Sequence, residues 1–188
     1  PIMRHVLEAQ PFTDVLDIGV GEAGLWGFML RDKCDGGMQQ RTFRDTSTWK
    51  LKILGIEIME MYNTVIHQFC YDKILWMDAF DALDDLGGRS CDPKFDMVFL
   101  TSVIEHFEKD KGFELLKRIK KFMRNGAMLI ITSPNGYQVQ PPTPGNPHEE
   151  HLSGWGLDDI DMIAQIGYIP HHSEVTYDDR VIMIFKRR

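Results

Sequence analysis

Cysteine is scarce in this chain: Cys34, Cys70 and Cys91 are its only three in 188 residues. They lie far apart and form no C-x-x-C pair, so neither a disulfide framework nor a cysteine-built metal site is expected. Free thiols in a reducing cytoplasm fit that pattern. No apolar run reaches the roughly 18 residues that a membrane-spanning helix needs, and no signal-peptide pattern opens the chain. The first residue is Pro1 rather than Met, so a missing N-terminal piece is one expectation. Basic excess is absent as well. The 21 Lys and Arg are outnumbered by 28 Asp and Glu, giving a net charge of −7. Broad binding to nucleic-acid phosphates needs the opposite balance, although a local basic surface stays compatible with it. No internal repeat is visible.

What is present reads as one soluble globular domain over residues 1–188, with 43% hydrophobic and 26% charged residues. Strand-like and helix-like segments alternate, which is the α/β signature. "TDVLDIGV", "LKILGIEI", "KILWMDAF", "FDMVFLTSV" and "GAMLIITSPN" read as strands. Near-continuous apolar runs of this kind suit strands covered on both faces. "IMRHVLEA", "EAGLWGFMLRD", "MEMYNTVIHQF", residues 109–124 and "GLDDIDMIAQIGY" read as helices. "HHSEVTY" and "RVIMIFKRR" form a terminal strand pair turning at Asp178 and Asp179, predicting a mostly parallel sheet with one antiparallel edge strand. Two irregular stretches interrupt the pattern. Residues 32–50 are a polar insertion, and residues 137–156 are a proline-rich loop whose length marks it as functional or disordered.

The stretch "DIGVGEAG", residues 17–24, follows the first strand and precedes a helix. Gly19, Gly21 and Gly24 spell G-x-G-x-x-G, the turn that lets backbone approach a dinucleotide pyrophosphate. The same letters fit D-x-G-x-G, in which a carboxylate precedes the glycines. Asp17 would repel a pyrophosphate but suit a cation such as the sulfonium and ammonium of S-adenosylmethionine (SAM). Glu57 ends the second strand, where a carboxylate can accept both hydroxyls of a ribose. It lies about twice the usual ~20 residues on, and the polar insertion accounts for the excess. Ile58 would then lie against the adenine, Asp78 accept from its amino group, and the Ala79 N–H donate to its ring.

"VLDIGVGEAG", "ILGIEI", "WMDAF", "KFDMVFLTSVIEHF", "GAMLIITSPNG" and "HLSGW" occur in an order that resembles the class I SAM-dependent methyltransferases, the small single-domain type 11/23-like group. The resemblance covers about residues 13–167. It implies a Rossmann-like α/β fold: a seven-stranded, mostly parallel sheet of order 3-2-1-4-5-7-6, strand 7 antiparallel, with helices on both faces. It also implies that Asp17, Gly19, Val20, Gly21, Glu57 and Asp78 bind SAM, and that Thr101 and Ser102 face its methionine end. The product would be S-adenosylhomocysteine (SAH). The segment before strand 1 is short for a substrate lid, which leaves that role to the proline-rich loop.

Methyl transfer needs position and a dry site more than protein chemistry, because the cofactor brings the activated group. An oxygen or nitrogen acceptor can use a base with a pKa near neutrality, and His106 after the fourth strand is the candidate. Tyr137, His148, His151 and Trp155 in the proline-rich loop are the candidate substrate contacts, with core packing the stronger expectation for Trp155. The acceptor expected is a small molecule such as a metabolite hydroxyl. The alternative is RNA ribose. Small-RNA 2′-O-methyltransferases resemble the chain in part, carrying Glu-x-x-Glu-His after strand 4 and a later His that hold a divalent metal. Here the stretch is Ser102-Val103-Ile104-Glu105-His106, so one carboxylate is replaced by serine; Glu105, His106 and His151 are the remaining candidate ligands, and no metal is the primary expectation. Residues 109–124 carry Lys109, Lys111, Lys117, Arg118, Lys120, Lys121 and Arg124, read as a solvated outer face rather than a nucleic-acid patch. An NAD(P) oxidoreductase and a non-catalytic SAM-binding module are the lesser readings.

Overall fold

The computed structural model describes residues 2–35, 45–88 and 93–188. Residues 36–44, half of the expected insertion, and Cys91 lie outside the described residues. The strands are β1 (Asp14–Ile18), β2 (Lys52–Glu57), β3 (Lys73–Trp76), β4 (Phe95–Thr101), β5 (Met123–Pro134), β6 (Tyr168–Val175) and β7 (Arg180–Arg187). They form one sheet in the order β3-β2-β1-β4-β5-β7-β6. All neighbours pair in parallel except β7, which runs antiparallel to both β5 and β6.

The antiparallel strand is therefore internal, not at the edge as the terminal strand pair alone suggested. The reason lies in the two sequences. Val181 to Phe185 of β7 are apolar and buried without interruption, as a strand covered on both faces must be. β6 carries exposed residues along most of its length and can afford the edge.

Helices cover both faces. Side chains alternate along each strand, so Val15, Met97, Phe99, Ile130 and Ile184 face one layer and Leu16, Ile18, Val98, Leu100 and Ile131 the other. The first layer holds α1 (Ile2–Glu8), α2 (Leu25–Lys33) and α3 (Val65–Cys70), through Val6, Leu30, Cys70 and the adjoining Tyr71. The second holds α4 (Ala79–Gly87), α5 (Lys109–Lys121) and α6 (Ile160–Gln165), through Leu83, Leu86, Leu116, Ile119 and Ile163. The third strand is shorter than its apolar run suggested. It ends at Trp76, and Asp78 caps α4, its Oδ1 accepting the Phe80 N–H at 2.7 Å. A carboxylate at that position satisfies a free amide of the first helical turn, which stops the strand. No helix among the described residues is long and apolar enough to cross a membrane.

β1 has β2 on one side and β4 on the other. The connections diverge there, leaving a crevice at the carboxyl ends of the strands where α/β folds hold their ligands.

Candidate functional site

The turn after β1 is built by its glycines. Gly19 has φ 75°, and a Cβ there would lie 2.1 Å from Val103 Cγ2, so the chain after β4 excludes any side chain. Gly21 has φ 66° and nothing within 4 Å of a hypothetical Cβ: it faces open space. The Gly19 N–H donates to the Ile56 carbonyl at 2.9 Å, pinning the turn to β2. Glu57 completes the junction. One carboxylate oxygen accepts the Gly21 N–H and the other the Met59 N–H, each at 2.9 Å. From α3, His67 supports the far side. Its Nδ1 accepts the Thr64 N–H at 3.0 Å, so Nε2 carries the proton and donates to the Gly21 carbonyl at 2.8 Å.

A cleft of about 230 Å³ opens on this turn. Of the expected cofactor residues, Gly19, Gly21, Glu57, Ile58, Asp78, Ala79 and Ser102 line it, and so do His106 and His148. Glu57, Asp78, Glu149 and Glu150 contribute carboxylates, and no Lys or Arg lines it among the described residues.

Several expected residues stand elsewhere. Asp17 is fully buried and does not reach the cleft. Strand alternation turns it to the same side as Val15, where Tyr71 Oη donates to its Oδ2 at 2.5 Å and accepts the Gly27 N–H at 3.0 Å. Burial pushes the Asp17 carboxyl up to about 7, the Tyr71 hydroxyl opposing this, and burial likewise raises Tyr71. Through Tyr71, Asp17 holds β1 to α2. Val20 is buried behind the turn, against Gly55. Thr101 accepts from Trp26 Nε1 at 3.0 Å and opens on a neighbouring hollow with Arg180. Ser102 borders both the cleft and that hollow, and its Oγ accepts from Arg180. Trp155 is fully buried, its ring 5.1 Å from Phe113 and 3.8 Å from Lys109 Nζ. Tyr137 is exposed beside it, outside the cleft.

Residues 146–150 and 152 of the proline-rich loop line the cleft, where that loop was expected to stand. Asn146 is the keystone. It is buried, its side chain accepts the His148 N–H at 3.0 Å and donates to Tyr62 Oη at 2.8 Å and Glu149 Oε1 at 3.0 Å. Tyr62 and Met59 after β2, Met77 after β3, and Val103 and Phe107 after β4 complete the walls. A clue was present in the sequence, since Asn-Pro at 146–147 marks a turn with a side-chain acceptor.

The loop is tied to β4 through the short 3-10 turn Ile104–His106. The Glu105 carbonyl accepts the N–H groups of Leu152 (2.8 Å) and Ser153 (3.1 Å). That pairing brings His151 beside the turn, its ring centroid 5.0 Å from that of His106. His151 does not line the cleft; His106 does. Burial holds His106 below the usual imidazole value, so it is neutral at pH 7, and it pushes the Glu105 carboxyl up to about 7. The cations of α5 are largely engaged. Lys109 pairs with Asp159 at 2.7 Å, Arg118 with Asp84 and Glu114, and Lys120 with the Ile166 carbonyl.

No protein-family model matches the chain. An Emericella nidulans protein named, provisionally, a urea carboxylase is 25% identical over 121 residues, 61% of this chain and 10% of that protein. The chain spans about a tenth of the curated relative it matches. A SAM-dependent methyltransferase from Archaeoglobus fulgidus is similar in structure, with a TM-score of 0.63 and 17% identity, over 99% of this chain and 91% of that one. A Burkholderia thailandensis 1,6-didemethyltoxoflavin-N1-methyltransferase, solved with its substrate and SAH, gives a TM-score of 0.65 at 12% identity, over 99% and 75%. At these identities the likeness is one of fold, and it agrees with the strand order, the internal antiparallel β7 and the glycine turn: the chain has the fold of the class I SAM-dependent methyltransferases.

Proposed function

We propose that the chain binds SAM and transfers its methyl group to a small-molecule oxygen or nitrogen acceptor. The observation that carries this reading is the charge of the cleft. Four carboxylates and no Lys or Arg line it among the described residues. A dinucleotide would bring a doubly charged pyrophosphate to that wall, whereas SAM brings a sulfonium and an ammonium. The same discrimination was expected of Asp17 alone, but it rests better on the lining as a whole. The internal antiparallel β7 also departs from the 3-2-1-4-5-6 order of the dinucleotide fold.

In this reading the Gly19–Gly21 turn lets backbone approach the cofactor. Glu57 is held by two amides and keeps free lone pairs for ribose hydroxyls. Asp78 and Ala79 meet the adenine, with Ile58 against its face. Residues 146–152 exclude water above it, and His106 and His148 face the acceptor. SAM-dependent transfer is supported by the structurally similar 1,6-didemethyltoxoflavin-N1-methyltransferase, which holds 1,6-didemethyltoxoflavin and SAH. Titration calorimetry with SAM, SAH and NAD tests the cofactor. Binding of the two sulfur compounds and not of NAD is expected; NAD binding without SAH binding overturns the reading.

A further inference from the structure

We propose that the methyl acceptor occupies the hollow beside the cleft and is a flat, largely apolar molecule with one carboxylate, which Arg180 binds. This rests on the methyl-transfer reading and adds the acceptor's place and chemical class to it. The volumes point there first. The cleft on the glycine turn holds about 230 Å³, less than the roughly 300–1,000 Å³ that one drug-sized ligand occupies. A cofactor of that size fills it, and an acceptor needs other space. The neighbouring hollow holds about 620 Å³ and meets the cleft at Ser102. Thr101, Ser102 and Thr132 place it at the carboxyl ends of β4 and β5, the side of the sheet on which α/β folds hold their ligands.

The lining gives the class. Trp26 is fixed in place: its ring stacks on Phe99 with centroids 4.3 Å apart, and its Nε1 donates to Thr101 Oγ1 at 3.0 Å. With Ile2 and Ile182 it offers the hollow a rigid apolar wall, which suits a flat body. Arg180 supplies the charge. A guanidinium carries five N–H donors, and the one described side-chain partner of Arg180 is the Ser102 hydroxyl. The two carboxylates of the hollow are turned to other groups. Glu174 Oε1 lies 3.7 Å from His172 Nε2, and Asp178 Oδ1 accepts the Thr176 hydroxyl at 2.6 Å. Among the described residues no carboxylate forms an ion pair with Arg180, so its planar fork is open to an incoming carboxylate in a two-bond pairing. The two hollows thus sort ligands by charge. The cleft, with four carboxylates and no Lys or Arg, repels an anion, and the hollow with Arg180 receives it. An acceptor held by its acid end at Arg180 presents its other end at Ser102, where the two spaces join.

The test uses the full chain loaded with SAH and two probes, 2-naphthoate and its neutral counterpart 2-naphthamide, followed by calorimetry and by the indole 1H–15N signals. The naphthoate should bind more tightly than the amide by about tenfold or more, the worth of a charged hydrogen-bonded pair, and should move the Trp26 Nε1 signal. Arg180→Gln should abolish that preference and leave SAH affinity unchanged, and Arg180→Lys, which keeps the charge and loses the fork, should retain only part of it. The comparison of the two probes on the unaltered chain stays decisive if a variant fails to fold. Equal binding of the probes, binding of neither, or a Trp26 signal that stays in place overturns the acid site and leaves the methyl-transfer reading intact. A second arm compares SAH with 5′-methylthioadenosine, which lacks the amino-acid tail. If Arg180→Gln weakens SAH and not methylthioadenosine, the carboxylate bound is the cofactor's own and the acceptor assignment falls. Failure of SAH to bind at all removes the methyl-transfer reading itself, and the acceptor role with it.

Discussion

At Asp17 a carboxyl group is taken wholly out of water, with the Tyr71 hydroxyl on one oxygen and no hydrogen-bond partner on the other. Its pKa rises from 3.8 to about 7, chiefly through burial. Between those values the folded chain holds a proton that the unfolded chain releases, so this residue makes stability fall as pH rises through the window. The slope is at most about 1.4 kcal/mol per pH unit. Asp17→Asn cannot ionise and still offers a carbonyl to Tyr71. Urea melts of both proteins should therefore show the variant gaining on the parent by on the order of 2–4 kcal/mol from pH 4 to pH 8; parallel curves would mean that Asp17 does not titrate in the window. Glu57 makes a different case, because it lines the cleft while buttressing the turn. Glu57→Ala should weaken SAH binding by about 1–3 kcal/mol, the cost of losing a charged hydrogen-bond acceptor, and calorimetry at constant pH measures it. Both carboxylates were legible as functional candidates. That Asp17 stays out of the cleft lining follows from its parity with Val15, a period-2 argument available from the sequence once the strand is placed.

Elements were legible where they repeat and opaque where they depend on distant partners. The five apolar runs and the terminal strand pair predicted all seven strands, because a strand covered on both faces must be apolar throughout. The end of β3 was misjudged, since Met77 and Phe80 continue the apolar pattern and only the cap at Asp78 reveals the helix. The proline-rich loop could be recognised as functional, but its fold could not. Its bonds run from Asn146 to Tyr62 and from Leu152 and Ser153 to Glu105, across tens of residues. Trp155 anchors the loop's far end. Its indole donates to Ser153 Oγ at 2.8 Å, and its ring fills a hollow that α5 leaves only because residue 112 is glycine: a Cβ there would lie 2.5 Å from the ring. Trp155→Ala should cost about 3–5 kcal/mol, as large aromatic truncations in cores do. Guanidinium melts would register it, and a loss under 1 kcal/mol would show that the ring does not anchor the loop.

For the whole molecule, the relevant fact is that both hydrophobic layers are built on the same strands. β1, β4, β5 and β7 each contribute alternate residues to the α1–α3 layer and to the α4–α6 layer. Neither layer can lose its order without exposing the backs of the strands that support the other. The fold class was legible in the sequence for the same reason, since continuous apolar strands alternating with amphipathic helices admit few arrangements besides a helix-covered sheet. The place of β7 inside the sheet followed from family resemblance, whereas the terminal pair alone put an antiparallel strand at the edge. Residues 1–188 are therefore expected to unfold as one unit, with a calorimetric enthalpy equal to the van't Hoff enthalpy. The cleft joins the ends of β1, β2 and β4 to the loop at 146–152, so a ligand there bears on both layers together. SAH at a hundred times its Kd should stabilise the chain by about 2.7 kcal/mol, moving the single transition upward by on the order of 5–10 °C for a chain of this length. A transition that splits, with only one part responding to SAH, would show that the two layers are not coupled through the sheet.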